Sequence, residues 1–230
     1  MLTSVTEKNL PSRNRSVQSE FRKRQLIETT IDCIDKLGIS QTTLARIAEH
    51  AGVSQGVIVF HFQSKKSLFE QTLRHLSHEY MQCWIDACDN AAEDPVSQLC
   101  AIIKSTFNPS ICNRKKISVW YAFWGESRSR PRYMEICGAH DQAFSGKLLS
   151  LCTEIGATSR SGLSPQTAAL SIEGMIDGLW QNFLIGAAGF KRVQAVSTVF
   201  ELLEVIFPDK DQKIHQYMNL SQLLPVRVGV

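Results

Sequence analysis

The sequence predicts an all-α protein in which a small N-terminal unit of three helices is joined to a larger helical one, with about nine to ten helices in all. Three observations predict this. Apolar residues recur at helical spacing through nearly every segment, capping residues followed by proline open several of those segments, and no strand-length alternation or hairpin dipeptide interrupts the series. At 230 residues, 43% hydrophobic and 20% charged, the chain is long and apolar enough to bury a core without help from disulfides or metals.

Residues 1–18 lack apolar periodicity and read as a flexible basic arm carrying Arg13 and Arg15. The first helix is expected from Ser19 to Leu37, where Phe21, Leu26, Ile27, Thr30, Ile31, Ile34 and Leu37 form one stripe, and Gly38 ends it. Thr42 or Thr43 then caps a second helix ending near Ala51, Gly52 supplies a tight turn, and Ser54 caps a third ending near Phe60. Helices this short need one another for stability. A fourth, from Ser64 to about Asn90, keeps Leu68, Phe69, Leu73, Leu76, Tyr80, Trp84 and Cys88 at helical spacing and is long enough to join two domains.

Beyond it, Asp94 and Pro95 open a helix toward Phe107, another spans Lys115 to Arg128, and Pro131 starts one reaching Ile155. Thr158 to Leu163 is a polar loop; Ser164 and Pro165 repeat the cap signal and lead to about Ala188. The last expected helix runs from Arg192 to Phe207. Pro208 stops it, so residues 208–230 read as a C-terminal tail.

Charge and cysteine usage narrow the function. Residues 1–66 hold ten Lys/Arg against six Asp/Glu, or +4, and the remainder fifteen against sixteen, or −1. A basic N-terminal segment on a near-neutral body fits a chain that meets polyanion at one end. The first twenty residues are polar and no run of about eighteen apolar residues occurs, which places the chain in the cytoplasm with no membrane partner. The seven cysteines have no C-x-x-C pair and read as reduced, buried thiols, without metal or other cofactor.

The window Leu44 to Gln63 has the residues a helix-turn-helix needs: Ala48 where two helices nearly touch, Gly52 at the turn, and Ile47, Val53 and Ile58 as a small core beneath. Such a unit holds its third helix outward for the DNA major groove. Ile47-Ala48, Gly52-Val53-Ser54, Gly56, His61-Phe62, Lys65 and Leu68-Phe69 resemble the DNA-binding signature of the TetR family of bacterial regulators. The resemblance covers about residues 20–70.

It implies a helix-turn-helix DNA-binding domain over residues 19–65 and a ligand-sensing and dimerisation domain over 66–207. It also implies that Thr43, Gln55, His61 and Lys65 lie near phosphates or bases, with Gln55, Val57 and Phe60 projecting from the reading helix. Gln pairs with the adenine edge and apolar side chains touch the thymine methyl. Val59 departs from the family, which usually has a tyrosine there. His61 has a second reading as a packed or capping histidine, and Lys65 as a solvated charge near a helix start.

In the C-terminal part Trp120 and Trp124 lie four apart on one helix face with Tyr121 and Phe123 adjacent, either as core or as an aromatic cage for a quaternary ammonium. Asp177, with Glu126 and Glu173 as weaker candidates, stands on a largely apolar helix; it either holds a cationic ligand or caps a neighbouring helix. Ser118 to Trp124 and Ile176 to Trp180 resemble the C-terminal domain of BetI-type repressors, which respond to choline and control glycine betaine synthesis genes. That resemblance implies a small-molecule effector held by Trp120, Tyr121, Trp124, Asp177 and Trp180. Val59-Phe60-His61 stands where the subgroup tends toward Ser-His-Tyr, so a relative with another operator or effector is the alternative.

The helix after Ser164 carries Ile172, Met175, Ile176, Leu179, Phe183 and Leu184, and the last helix Val196, Val199, Phe200, Leu203 and Phe207, more apolar surface than one fold face needs. Two such helices per subunit suit a four-helix homodimer interface, placing two reading helices on a palindromic double-stranded DNA operator; the alternative is that both pack wholly within the chain. A helical enzyme is the rival from another class. It lacks support because no H-E-x-x-H, paired Glu-x-x-His, phosphate-binding glycine loop or nucleophile elbow occurs. A helical adaptor that has lost DNA binding is the third reading.

Overall fold

In the computed structural model, residues 12–127, 131–186 and 189–221 are described, and they form ten α-helices with no strand among them. The chain divides into two compact units after Thr72.

The first unit is built from α1 (Ser12–Gln41), α2 (Leu44–Ala51), α3 (Gln55–Phe62) and the start of α4 (Lys65–Asp89). Leu26, Cys33, Ile47, Ala48, Ile58, Phe62 and Leu68 are its core. Gly38 interrupts α1 with a φ of 75°, and Thr42 then donates its hydroxyl to the Gly38 carbonyl at 2.8 Å. Thr43 caps α2, its Oγ1 accepting from the Arg46 amide at 3.3 Å. It ends in a Schellman motif in which the Gly52 and Val53 amides donate to the Glu49 and Ala48 carbonyls at 3.2 and 3.0 Å. Gly52 sits at φ 65°, where a side chain is strained. Ser54 occupies the N-cap of α3 with extended backbone but makes no side-chain cap bond, whereas Ser64 Oγ accepts from the Ser67 amide at 3.1 Å and caps α4.

Two expectations at the chain ends change. Residues 12–18, expected within the flexible arm, continue α1, because extending a nucleated helix requires only one more hydrogen bond per residue and no apolar face; residues 1–11 lie outside the described residues. Phe21 is 73% exposed and outside the core, since five positions put it about 140° around the helix from Leu26. At the other end the expected tail contains a 3₁₀ turn (Pro208–Lys210) and α10 (Asp211–Ser221). Ile214 buries there, and Lys213 meets Asp94 at 2.9 Å. Its apolar positions were too few to register as a periodic stripe.

The second unit packs α5 (Pro95–Thr106), α6 (Arg114–Ser127), α7 (Pro131–Gly156), α8 (Pro165–Ile185), α9 (Arg192–Ile206) and α10 with the later part of α4. α7 lies against α5, α6 and α8, and α9 against α5, α8 and α10. Asp94 and Ser164 cap α5 and α8, each ahead of a proline. The core runs through Leu99, Ile103, Leu148, Leu151, Ile172, Ile176, Phe200 and Leu203. Six of the seven cysteines are buried, and burial pushes the Cys100, Cys137 and Cys152 thiols up to about 12.

A Cβ at Gly52 would meet nothing within 4 Å, so a substitution there reports the backbone alone. Gly52→Ala is expected to lower the unfolding free energy by about 1 kcal/mol in denaturant titration. An unchanged or raised midpoint would contradict the turn.

Candidate functional site

The first candidate surface is the outer side of α3. Ile58 and Phe62, four apart, anchor the helix to the core, which leaves Val59 44% and Phe60 80% exposed. Gln55 is exposed beside them; Val57 and His61 are half-buried. Val57 projects less freely than expected. The Phe60 and His61 rings meet edge to face at 5.1 Å. Thr43 is exposed at the start of α2, and half-buried Lys65 lies with Nζ 5.0 Å from the centre of the Phe69 ring rather than as a freely solvated charge.

Sequence reasoning passed over Val59 as a contact. An apolar residue adjacent to a core position in a short helix has no signal of its own until the burial of its neighbours is known.

The second candidate is a cavity of about 240 Å³ within the larger unit, lined by Tyr80, Trp120, Tyr121, Trp124, Tyr133, Phe144 and Trp180 together with Asp141, Glu173 and Asp177. All five effector residues expected from the sequence line it: Trp120, Tyr121, Trp124, Asp177 and Trp180. α6 presents Trp120 and Trp124 one turn apart, with the Tyr121 and Trp124 rings perpendicular at 5.9 Å. The Tyr121 hydroxyl donates to the Asp177 carbonyl at 3.0 Å and Trp180 Nε1 to the Thr106 carbonyl at 3.1 Å, so two of the walls are tied to backbone. Tyr80 packs against Phe144 and Trp180, each at 5.5 Å between ring centres.

Asp177 stands in the middle of α8 facing this cavity, and its carboxylate caps no helix among the described residues. Glu173, one turn earlier, accepts from Ser145 Oγ at 2.8 and 3.0 Å. Asp141 comes from α7, one turn before Ser145. Asp141 and Asp177 reach water through the open mouth, yet the protein around them withdraws enough solvent to push each carboxyl up to about 6. The negative charge of Glu173 adds to both shifts, and that of Asp141 to the shift of Asp177. No basic side chain lines the cavity among the described residues. The Glu126 side chain lies outside them.

Tyr80, Tyr133, Asp141 and Phe144 were not singled out from the sequence. Tyr80 reads there as one more apolar position of a long helix, and the three α7 residues have no motif; only packing of α4, α7 and α8 brings them together. The arrangement is suited to holding a small cation, since ring faces and carboxylates attract positive charge in a partly dry space.

Residues 26–72 match a family model described as bacterial regulatory proteins, tetR family, and residues 95–208 one described as BetI-type transcriptional repressor, C-terminal. An HTH-type transcriptional regulator BetI from Serratia proteamaculans is 33% identical over 186 residues, covering 77% of this chain and 88% of that protein. A solved structure from Pseudomonas aeruginosa PAO1 superposes with a TM-score of 0.73 at 22% identity, over 90% of this chain and 100% of that one. A Saccharomonospora viridis structure in complex with choline superposes with a TM-score of 0.71 at 20% identity, over 80% and 96%.

The raised carboxyls have a consequence for stability. The folded state holds protons at Asp141 and Asp177 that the unfolded state releases, so stability falls as pH rises from about 4 to about 6 and stays lowered above that. Asp177→Asn is expected to raise the melting temperature at pH 7.5 and to lose most of that gain at pH 4.5. A lower melting temperature at pH 7.5 would mean that the ionised carboxylate stabilises the fold.

Proposed function

This chain belongs to the TetR family of bacterial transcriptional regulators, with a BetI-type C-terminal part, and from that premise we propose that it is a repressor binding a palindromic operator as a homodimer and releasing it in response to a small cation, choline or a related quaternary ammonium. Members of the family regulate transcription and are not enzymes. The observation that carries the effector reading is the cavity where α6 rings face three carboxylates with no basic side chain among the described lining residues. A quaternary ammonium gains roughly 0.5 to 2 kcal/mol from each well-placed ring and offers a counter-charge to Asp177.

On the DNA side, α3 enters the major groove with Gln55 toward an adenine edge and Val57, Val59 and Phe60 toward thymine methyl groups. Thr43, His61 and Lys65 meet phosphates. The exposure of Phe60 supports this, because a large apolar side chain held in water at a helix surface gains free energy once a groove covers it.

The homodimer reading is supported by α8 and α9, although by other residues than those expected. Ile172, Ile176, Val199, Phe200, Leu203 and Phe207 are consumed in the chain's own core, whereas Leu170, Ile185, Val193 and Val205 are each at least two-thirds exposed on the same two helices. Both helices carry apolar residues on more than one face, and a second copy would cover the outer one. Two reading heads about 34 to 36 Å apart then match successive major grooves. α4 runs from Lys65 to Asp89 and supplies Tyr80 to the cavity wall, so an effector that prefers one setting of this helix biases the reading heads.

A TetR-type regulator of another pathway, with an effector other than choline, is the second reading. The departure of Val59-Phe60-His61 from the subgroup's reading helix favours it.

Gel shift on the DNA upstream of the chain's own gene tests the proposal: specific retention, relieved by choline, is expected at two salt concentrations. Equal retention of unrelated DNA would reject sequence-specific control; retention without a choline response would favour the second reading. Phe60→Ala is expected to cost about 1 to 3 kcal/mol of operator affinity with an unchanged melting temperature. Trp124→Ala, at a 55% exposed ring, should weaken the choline response roughly tenfold and leave operator affinity within about twofold.

A further inference from the structure

The acidic lining of the cavity exceeds what one positive charge requires. Glu173 and Asp177 are one turn apart on α8, where like charges repel, and Asp141 faces them from α7. A single cation placed against the α6 rings and Asp177 leaves Asp141 and Glu173 without a counter-charge among the described residues.

The surroundings of these two carboxylates carry further polar groups. Ser145 fixes the Glu173 carboxylate with two contacts, at 2.8 and 3.0 Å. Tyr80, wedged between Phe144 and Trp180, lines the cavity, and its hydroxyl meets no hydrogen-bond partner among the described residues. Burial and the charges of Asp177, Glu173 and Asp141 keep that hydroxyl protonated, so its oxygen can accept a hydrogen bond but carries no charge. A quaternary ammonium has no N–H to donate to it; a primary or secondary ammonium has.

We propose that the cavity takes a small dication: an alkylated ammonium against Trp120, Trp124 and Asp177, joined by a short chain to an N–H-bearing ammonium held between Asp141, Glu173 and the Tyr80 hydroxyl. The volume of about 240 Å³, about eight times the roughly 30 Å³ share of one liquid water, leaves room for a small organic molecule carrying both groups. The inference rests on the reading of this cavity as the effector site and adds a second charge to the ligand class.

Calorimetric titration of the full chain at pH 7.5 with n-butyltrimethylammonium and with (3-aminopropyl)trimethylammonium tests it. The two have the same size and branching and differ only in a terminal methyl against a terminal ammonium. The dication is expected to bind at least about tenfold more tightly. Asp141→Asn should remove most of that advantage while changing the affinity for the monocation less than about threefold. Circular dichroism checks that the variant folds, and Glu154→Gln, an exposed carboxylate on α7 that does not line the cavity, controls for general surface charge. Equal or weaker binding of the dication overturns the second subsite even if the monocation binds, as does an advantage that survives Asp141→Asn or is lost equally in Glu154→Gln. Failure of both compounds to bind overturns the cavity reading itself.

Discussion

Carboxylates held beside aromatic walls are costly to keep ionised without a counter-charge, and the organisation of the larger unit follows from that constraint. α7 and α8 bring Asp141, Glu173 and Asp177 to one space, while the core beneath them, through Leu148, Leu151, Ile172 and Ile176, supplies the apolar burial that lets the fold tolerate the repulsion. The walls are fixed rather than merely apolar. Tyr121 and Trp180 each give their polar hydrogen to a backbone carbonyl, so their rings are oriented before any ligand arrives.

The smaller unit places its unfavourable surface differently. Its core is slight, and α3 has only two turns, yet Ile58 and Phe62 hold it so that Val59 and Phe60 stay in water. One unit keeps acidic groups together beside aromatic walls with no basic side chain among the described lining residues, the other apolar groups where water is plentiful. Both are local departures from the rule that polarity matches environment, and both coincide with the surfaces proposed to meet a ligand.

The cap chemistry of the small unit was legible because it is local. Thr43 and Gly52 act through bonds that span three to five residues, and Gly52 requires a left-handed backbone that few residues adopt, whereas the expected cap Ser54 makes no side-chain bond and the one at Ser64 was not foreseen. The α6 and α8 part of the cavity was legible only through the resemblance of Ser118 to Trp124 and Ile176 to Trp180 to the BetI-type C-terminal domain, since the spacing of Trp120 and Trp124 suits a core as well as a cage. Tyr80, Tyr133, Asp141 and Phe144 were not, because nothing within a turn of each distinguishes a cavity wall from a core. Extension of α1 back to Ser12 and formation of α10 were missed on similar grounds: a helix can propagate through polar residues, and Ile214 and Tyr217 are too few to make a stripe.

The sequence by itself determined the helical class and the helix-turn-helix, because these depend on periodicity, caps and backbone constraints that act over one or two turns, and the motif from Ile47 to Phe69 carried the family resemblance. Tertiary structure alone decided that Asp177 faces an aromatic cavity rather than capping a helix, that Asp141 and Glu173 join it, and that Ile176 and Phe200 belong to the chain's own core while Ile185 and Val205 remain exposed. The reason is physical. Burial and charge proximity are set by which helices pack together across dozens of residues, and a side chain's own neighbours in sequence do not encode that distance.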